Sequence, residues 1–303
     1  QPAADSRRPS FWTGLLPHRT GVLSNGRWLP TPAWPDSGPT LGRLLSAAGW
    51  DCIHFGKDHA AGTLAGFAVV PEVPGAAEAE HPAWPVSGDT RRDAATVQAA
   101  CARLRQQAGE PRCVVVDLQN PHDICSWVGN RAGGNRTLPP VDLPPLPGNH
   151  DHDASAQPLP VRYVCCAHNR QAQAAAFDAT DWRCYAAAYR HYVRRADQAI
   201  GEVLVALDAS GRRERTLVVC FADHGDNQGA HRLATKHCTF YEETVRVPLI
   251  ISGPGIAAGR RIEALASLLD LLPTICGLAG VAASTGDGVD LSGWLGCGTG
   301  ALR

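Results

Sequence analysis

Two rhythms of apolar positions divide this chain. Leu41, Leu44, Leu45 and Ala48 lie between Thr40 and Gly49, a short amphipathic helix with a glycine stop. Helical spacing returns from Asp93 to Gln107 and over Ser267 to Ala279. It is longest from Asp181 to Leu207, where Tyr185, Ala188, Tyr192, Ala196, Ile200, Val203 and Leu207 share a face. Between these stretches stand short, continuous apolar runs that predict buried strands: Trp50–Phe55, Arg112–Leu118, Thr216–Phe221 and Val247–Ile251. Strands alternating with helices predict an α/β fold with a mostly parallel central sheet sandwiched between helices. Residues 130–161, rich in Pro, Gly and Asn, fit neither rhythm and predict an irregular loop inside a single domain spanning 1–303. A loop of that length is expected to shape a pocket.

Composition narrows the functions open to this fold. The 303 residues, 44% of them apolar, suffice for a substantial core. A net charge of -1 argues against nucleic acid or an acidic membrane as a partner. No run of 18 apolar residues predicts a membrane span. The 11 cysteines are odd in number and lack CxxC spacing, which predicts buried thiols rather than a zinc ribbon or a disulfide framework. The chain holds no Met, begins at Gln1 and shows no signal peptide, so it is expected to be part of a longer, soluble product, cytoplasmic or periplasmic.

The chemistry gathers where predicted strands end. Asp223-His224-Gly225 follows the Thr216–Phe221 run, and Lys236 stands a dozen residues on. Lys57 and His59 follow the Trp50–Phe55 run, and His122 follows Arg112–Leu118. Ligands of open α/β sheets collect at these carboxyl ends. Asp and neutral His suit a divalent cation, and Lys suits an anion. Each residue alone has a plainer reading, as a turn or a surface charge. Together they predict a cationic, metal-capable pocket for a tetrahedral oxyanion ester.

These motifs, in this order, resemble the sulfatase family of the alkaline phosphatase superfamily. Pro9-Ser-Phe-Trp-Thr-Gly-Leu-Leu-Pro-His-Arg-Thr-Gly-Val22 is similar to the segment after the sulfatase nucleophile. Gly56-Lys-Asp-His59, Gln119-Asn-Pro-His122 and Asp223-His-Gly225 are similar to motifs around the sulfate and the metal. Lys236 with Thr239–Glu243 and Arg246–Ile250, then Leu269–Thr274 and Asp287-Gly288, complete the likeness. The resemblance implies metal-dependent hydrolysis of a sulfate ester, carried by a small molecule or a glycan. It implies Asp223 and His224 as ligands of a divalent metal, Ca²⁺ in this reading, and Lys57 and Lys236 on the sulfate oxygens. His122 would face the leaving group, His59 would orient the nucleophile, and Arg8 would support its turn. The same scaffold serves phosphodiesters and phosphonate monoesters, so that reading stays open.

Two departures from the family pattern matter. The nucleophile lies in Cys-x-Pro-Ser-Arg, a Cys or Ser oxidised to formylglycine. Counting back from Thr13-Gly14 puts Arg8 on the motif's Arg, Ser6 on its Pro and Ala4 on the nucleophile. Alanine has no nucleophilic atom. The strand that would supply the remaining metal ligands, upstream of Ala4, is not in the sequence. The expectation is therefore weak or no turnover, with a sulfate- or sulfated-glycan-binding pseudoenzyme as the alternative.

Overall fold

The computed structural model describes residues 4–22, 34–35, 38–58, 60–71, 81–85, 91–107, 109, 111–152, 154–167, 169–236, 239–283 and 286–296. The chain opens with helices α1 (Ala4–Thr13), α2 (Pro17–Thr20) and α3 (Leu41–Ala47), then strands β1 (Asp51–Gly56) and β2 (Ala68–Val70). Helix α4 (Arg91–Arg105) and strand β3 (Arg112–Asp117) follow. Four helices come next: α5 (Ile124–Ala132), α6 (Leu159–Ala167), α7 (Asn169–Ala174) and α8 (Ala179–Ala209). Strand β4 (Val218–Phe221), helix α9 (Glu242–Val245), strand β5 (Leu249–Ser252) and helices α10 (Leu271–Ala279) and α11 (Ser292–Leu295) complete it.

The fold is α/β, as the alternation predicts. Strand β1 lies between β2 and β3 and pairs with both in parallel. Strand β5 departs from the parallel expectation: it runs antiparallel to β4 as a separate pair. The predicted strand at Val247–Ile251 forms two residues later, at Leu249–Ser252. Pro248 carries no N–H for a ladder, which accounts for the delayed start. Segment 130–161 is irregular over much of its length, but α5 reaches into it as far as Ala132, a 3-10 turn spans Ala154–Ala156 and α6 begins at Leu159.

Apolar burial sets where the strand ends meet. Phe11 and Trp12 of α1 pack in one core cluster with Leu41, Leu45, Cys52, Phe67, Leu271 and Leu272. Val115, Val219, Phe221 and Leu249 lie against the same cluster. Phe11 meets Phe221 edge-on, centroids 5.1 Å apart. Helix α1 is thereby pinned to the end of β4. Arg8 precedes Trp12 by four residues, so both lie on one face of α1. A second cluster joins Ile124, Trp127 and Val128 of α5 to Trp182, Tyr185 and Tyr192 of α8. Asp178 and Asp181 start α8 with a reciprocal capping box.

The carboxyl ends of β1 and β3 coincide, since Gly56 pairs with Asp117. This contact is tight: a Cβ on Gly56 would stand 2.0 Å from the Asp117 carbonyl oxygen, and its φ is +98°. A second backbone contact closes the far side. The amide of Asp287 donates to the carbonyl of Gly14 at 2.7 Å, and the Asp287 carboxylate accepts from the Leu16 amide and from Arg19.

Gly56→Ala is therefore expected to lower unfolding stability by several kcal/mol, on the order of other forced left-handed, clashing positions. Gly201→Ala in α8, with open space at its Cβ, is expected to raise it by about 1 kcal/mol. Urea denaturation of both variants checks the pair.

Candidate active site

Arg8 is the centre of the site. Its Nε donates to Asp223 Oδ2 at 3.2 Å, and its terminal nitrogens hold both oxygens of Asp117. Nη1 also donates to the Lys57 carbonyl at 3.2 Å. One buried guanidinium thus ties the ends of β1 and β3 to the turn after β4. Burial alone would lower the pKa of Arg8, but Asp117 and Asp223 outweigh it and raise it.

The other cations gather around this node. Lys57 is 9% exposed. Burial first, then repulsion from Arg8 and Lys236, pulls its pKa below the ordinary lysine value. The Lys236 ammonium donates to His122 Nδ1 at 2.8 Å and to Cys125 Sγ at 3.5 Å. An ammonium has no lone pair, so Nδ1 of His122 must accept, and the ring proton sits on Nε2. That tautomer can donate a proton outward. Burial would raise the Asp223 carboxyl, but His224, Arg8, Lys57 and Lys236 overcome it and hold it well below the usual carboxylate range.

Asp223 and His224 supply two donors for a cation. His224 Nδ1 donates to the Gly225 carbonyl at 3.0 Å, which turns Nε2 toward Asp223 Oδ1, 3.6 Å away. That pair is an ion pair when the ring is protonated; with a neutral ring both groups have the chemistry of metal donors. Hard cations take more ligands than two; calcium takes about 6–8 oxygens. No group of three or more His, Cys, Asp or Glu is placed to hold a metal among the described residues. These two residues fit part of a metal site and do not complete one. Gly225 has no room for a side chain: its Cβ would lie 2.0 Å from the Glu243 carbonyl.

Arg8, Lys57, Asp223 and His224 therefore come together, with His122 and Lys236 paired beside them. Ala4 opens α1. His59 lies outside the described residues. Asp117 is a site residue the sequence reading missed, because Val-Val-Val-Asp reads only as a strand end. The backbone strain of the loop between His224 and Lys236 is not legible in the sequence either. Gln228, His231, Arg232 and Thr235 all hold positive φ between 51° and 59°. Such conformations cost about 1–3 kcal/mol each and survive only where their surroundings fix them. Tyr185 fixes the loop's base: its hydroxyl donates to Asp226 at 2.6 Å and accepts from the Thr235 amide at 2.7 Å. At the tip, His231 stacks on Tyr241 at 3.8 Å and meets His152 nitrogen to nitrogen at 2.6 Å.

Burial, with help from His152 and against Glu243, lowers His231 below the ordinary value of 6.5. The folded protein thus binds this proton less readily than the unfolded chain. Its stabilising contribution is complete above that ordinary value and is lost as pH falls below it through the lowered value. Melting temperatures from pH 8 to pH 5 are expected to drop across that window, and to drop less in His231→Phe.

Comparisons with known proteins bear on the family and the fold. A family model described as Sulfatase matches residues 2–281. A Delta 4,5-hexuronate-2-O-sulfatase of Bacteroides thetaiotaomicron is 40% identical over 286 residues, 93% of this chain and 59% of its own length. Arylsulfatase K of Xenopus laevis is 28% identical over 293 residues, 90% of this chain and 54% of that protein. The chain thus spans little more than half the length of these curated relatives. A solved 2-O GAG sulfatase superposes with a TM-score of 0.90 at 39% identity, over 96% of this chain and 63% of that one. A phosphonate monoester hydrolase of Agrobacterium radiobacter shares the fold, with a TM-score of 0.74 at 22% identity over 95% of this chain and 66% of that one. Among the described residues, no helix is long and apolar enough to cross a membrane.

Proposed function

The chain belongs to the sulfatase family, and from that premise we propose that its site binds the sulfate ester of a glycan for hydrolysis. The ester would be a 2-O-sulfated uronate, the class named for the relative at 40% identity. The observation that carries this reading is the Lys236 ammonium bonded to His122 beside a buried Lys57. Two cations and a proton donor converge there, which is what an oxyanion with a poor leaving group requires. Lys57 and Lys236 take sulfate oxygens, and His122 protonates the leaving oxygen. Arg8 supports the turn that bears the nucleophile position, and His59 orients that position.

The family generally uses a divalent metal. In this chain Asp223 and His224 are the proposed donors to it, with Ca²⁺ proposed as the cation from the family resemblance; one carboxylate and one imidazole do not by themselves select it. When bound, the metal adds charge stabilisation to the ester oxygens. The proposed domain is single and spans 1–303, with segment 130–161 forming one wall of the pocket.

Ala4 favours a second reading. With alanine at the nucleophile position, binding without turnover is the activity left to the site. A 2-O-sulfated unsaturated uronate disaccharide is expected to bind, with a phosphonate monoester binding more weakly. Lys236→Ala is expected to cost about ten- to a hundredfold in affinity, the worth of a charged hydrogen bond. Calorimetry checks both. Aryl sulfate turnover with added Ca²⁺ is expected to be near background. Robust turnover would refute the placing of Ala4, and failure to bind any sulfate ester would refute the function.

A further inference from the structure

We propose that Asp117 is a positioning residue: it clasps Arg8 and withholds that guanidinium from the oxyanion, leaving the oxyanion to Lys57 and Lys236. The inference rests on the reading of the site as an oxyanion pocket. Guanidinium offers five N–H donors. Nε is committed to Asp223, Nη1 to Asp117 and the Lys57 carbonyl, and Nη2 to Asp117. Four of the five donors are therefore spent on protein acceptors. A tetrahedral anion could find one more N–H at most, never the paired fork that makes arginine a strong sulfate or phosphate ligand.

The position of Asp117 is itself fixed from three sides. Its carbonyl accepts from the Lys57 amide at 3.1 Å. Glycine at 56 lets that carbonyl approach. Behind the carboxylate stands His54, fully buried on β1, with Nε2 3.7 Å from Asp117 Oδ2. Neither ring nitrogen of His54 has a hydrogen-bond partner among the described residues, so Asp117 is the polar group it faces. Trp12 of α1 closes the other side of that ring, edge-on with centroids 6.0 Å apart. The mostly buried carboxylate thus has His54 on one side and Arg8 on the other. A clasp so built ties Arg8 of α1 to the end of β3.

The test is nuclear magnetic resonance on protein labelled with ¹⁵N at arginine and lysine. In the free protein the Arg8 guanidinium protons are expected to exchange slowly. Titration with sodium sulfate is expected to move the Lys57 and Lys236 signals and leave Arg8 in place. In Asp117→Asn, Arg8 exchange is expected to quicken, and sulfate affinity to rise about tenfold, as the released fork gains a charged hydrogen bond to the anion. Fast Arg8 exchange in the wild type overturns the clasp, as does a sulfate-induced Arg8 shift or an unchanged affinity in Asp117→Asn. Should that variant fail to fold, the two wild-type readouts decide. A wild type that binds no sulfate, yet shows a slowly exchanging Arg8, refutes the oxyanion pocket while upholding the clasp. A purely structural ion pair would move stability and leave sulfate affinity alone.

Discussion

The arrangement depends on one guanidinium held by two carboxylates. Arg8 joins Asp117 at the end of β3, Asp223 beyond the end of β4 and the backbone of Lys57 at the end of β1. Among the described residues β3 and β4 belong to separate ladders, so backbone hydrogen bonds do not set their spacing. Side-chain chemistry sets it instead. Breaking either partner of such a buried pair would strand a charge in a low-dielectric setting, which costs far more than a surface ion pair is worth. The apolar anchor Phe11–Trp12 delivers Arg8 to that point, and the Gly56–Asp117 contact delivers the carboxylate.

Charge concentrates at this node. Arg8, Lys57 and Lys236 gather around Asp117 and Asp223, with buried Asp226 also acting on Lys236, and Arg8 bonds both Asp117 and Asp223. Burial first, then repulsion from Arg8 and Lys236, disfavours the charged form of Lys57. The loop from Asp226 to Thr235 shows the same economy in backbone terms. Its left-handed residues are held by Tyr185 at the base and by the stack of His231 on Tyr241 at the tip. Strain fixed at both ends holds the positions of His224 and Lys236, which flank it.

Much of this was legible in the sequence, and the misses have causes. Helix α8, observed over 31 residues, was plain from Asp181 to Leu207 because its apolar positions keep one period from Tyr185 to Leu207. The strand ends were plain because Gly56-Lys57, Asn120-Pro121-His122 and Asp223-His224-Gly225 each follow an apolar run. Helix α1 was not recognised as a helix. Pro9 lies inside it, and Phe11, Trp12 and Leu15 give no sustained period. The antiparallel turn of β5 was hidden because an apolar run specifies burial and not direction. Asp117 was hidden because pairing with Arg8 spans 109 positions of sequence, a separation that no local pattern reports. The strained loop was hidden because residues with a Cβ seldom adopt positive φ.

The lysine pair and His122 are proposed as the seat of a tetrahedral oxyanion, and a crystal structure of the wild-type chain soaked in vanadate would show whether they are. One vanadate is expected on Lys57 and Lys236, with His122 Nε2 turned toward it and Arg8 still on Asp117. Vanadate bound away from these residues, or a seat left empty while vanadate saturates the crystal, would contradict it.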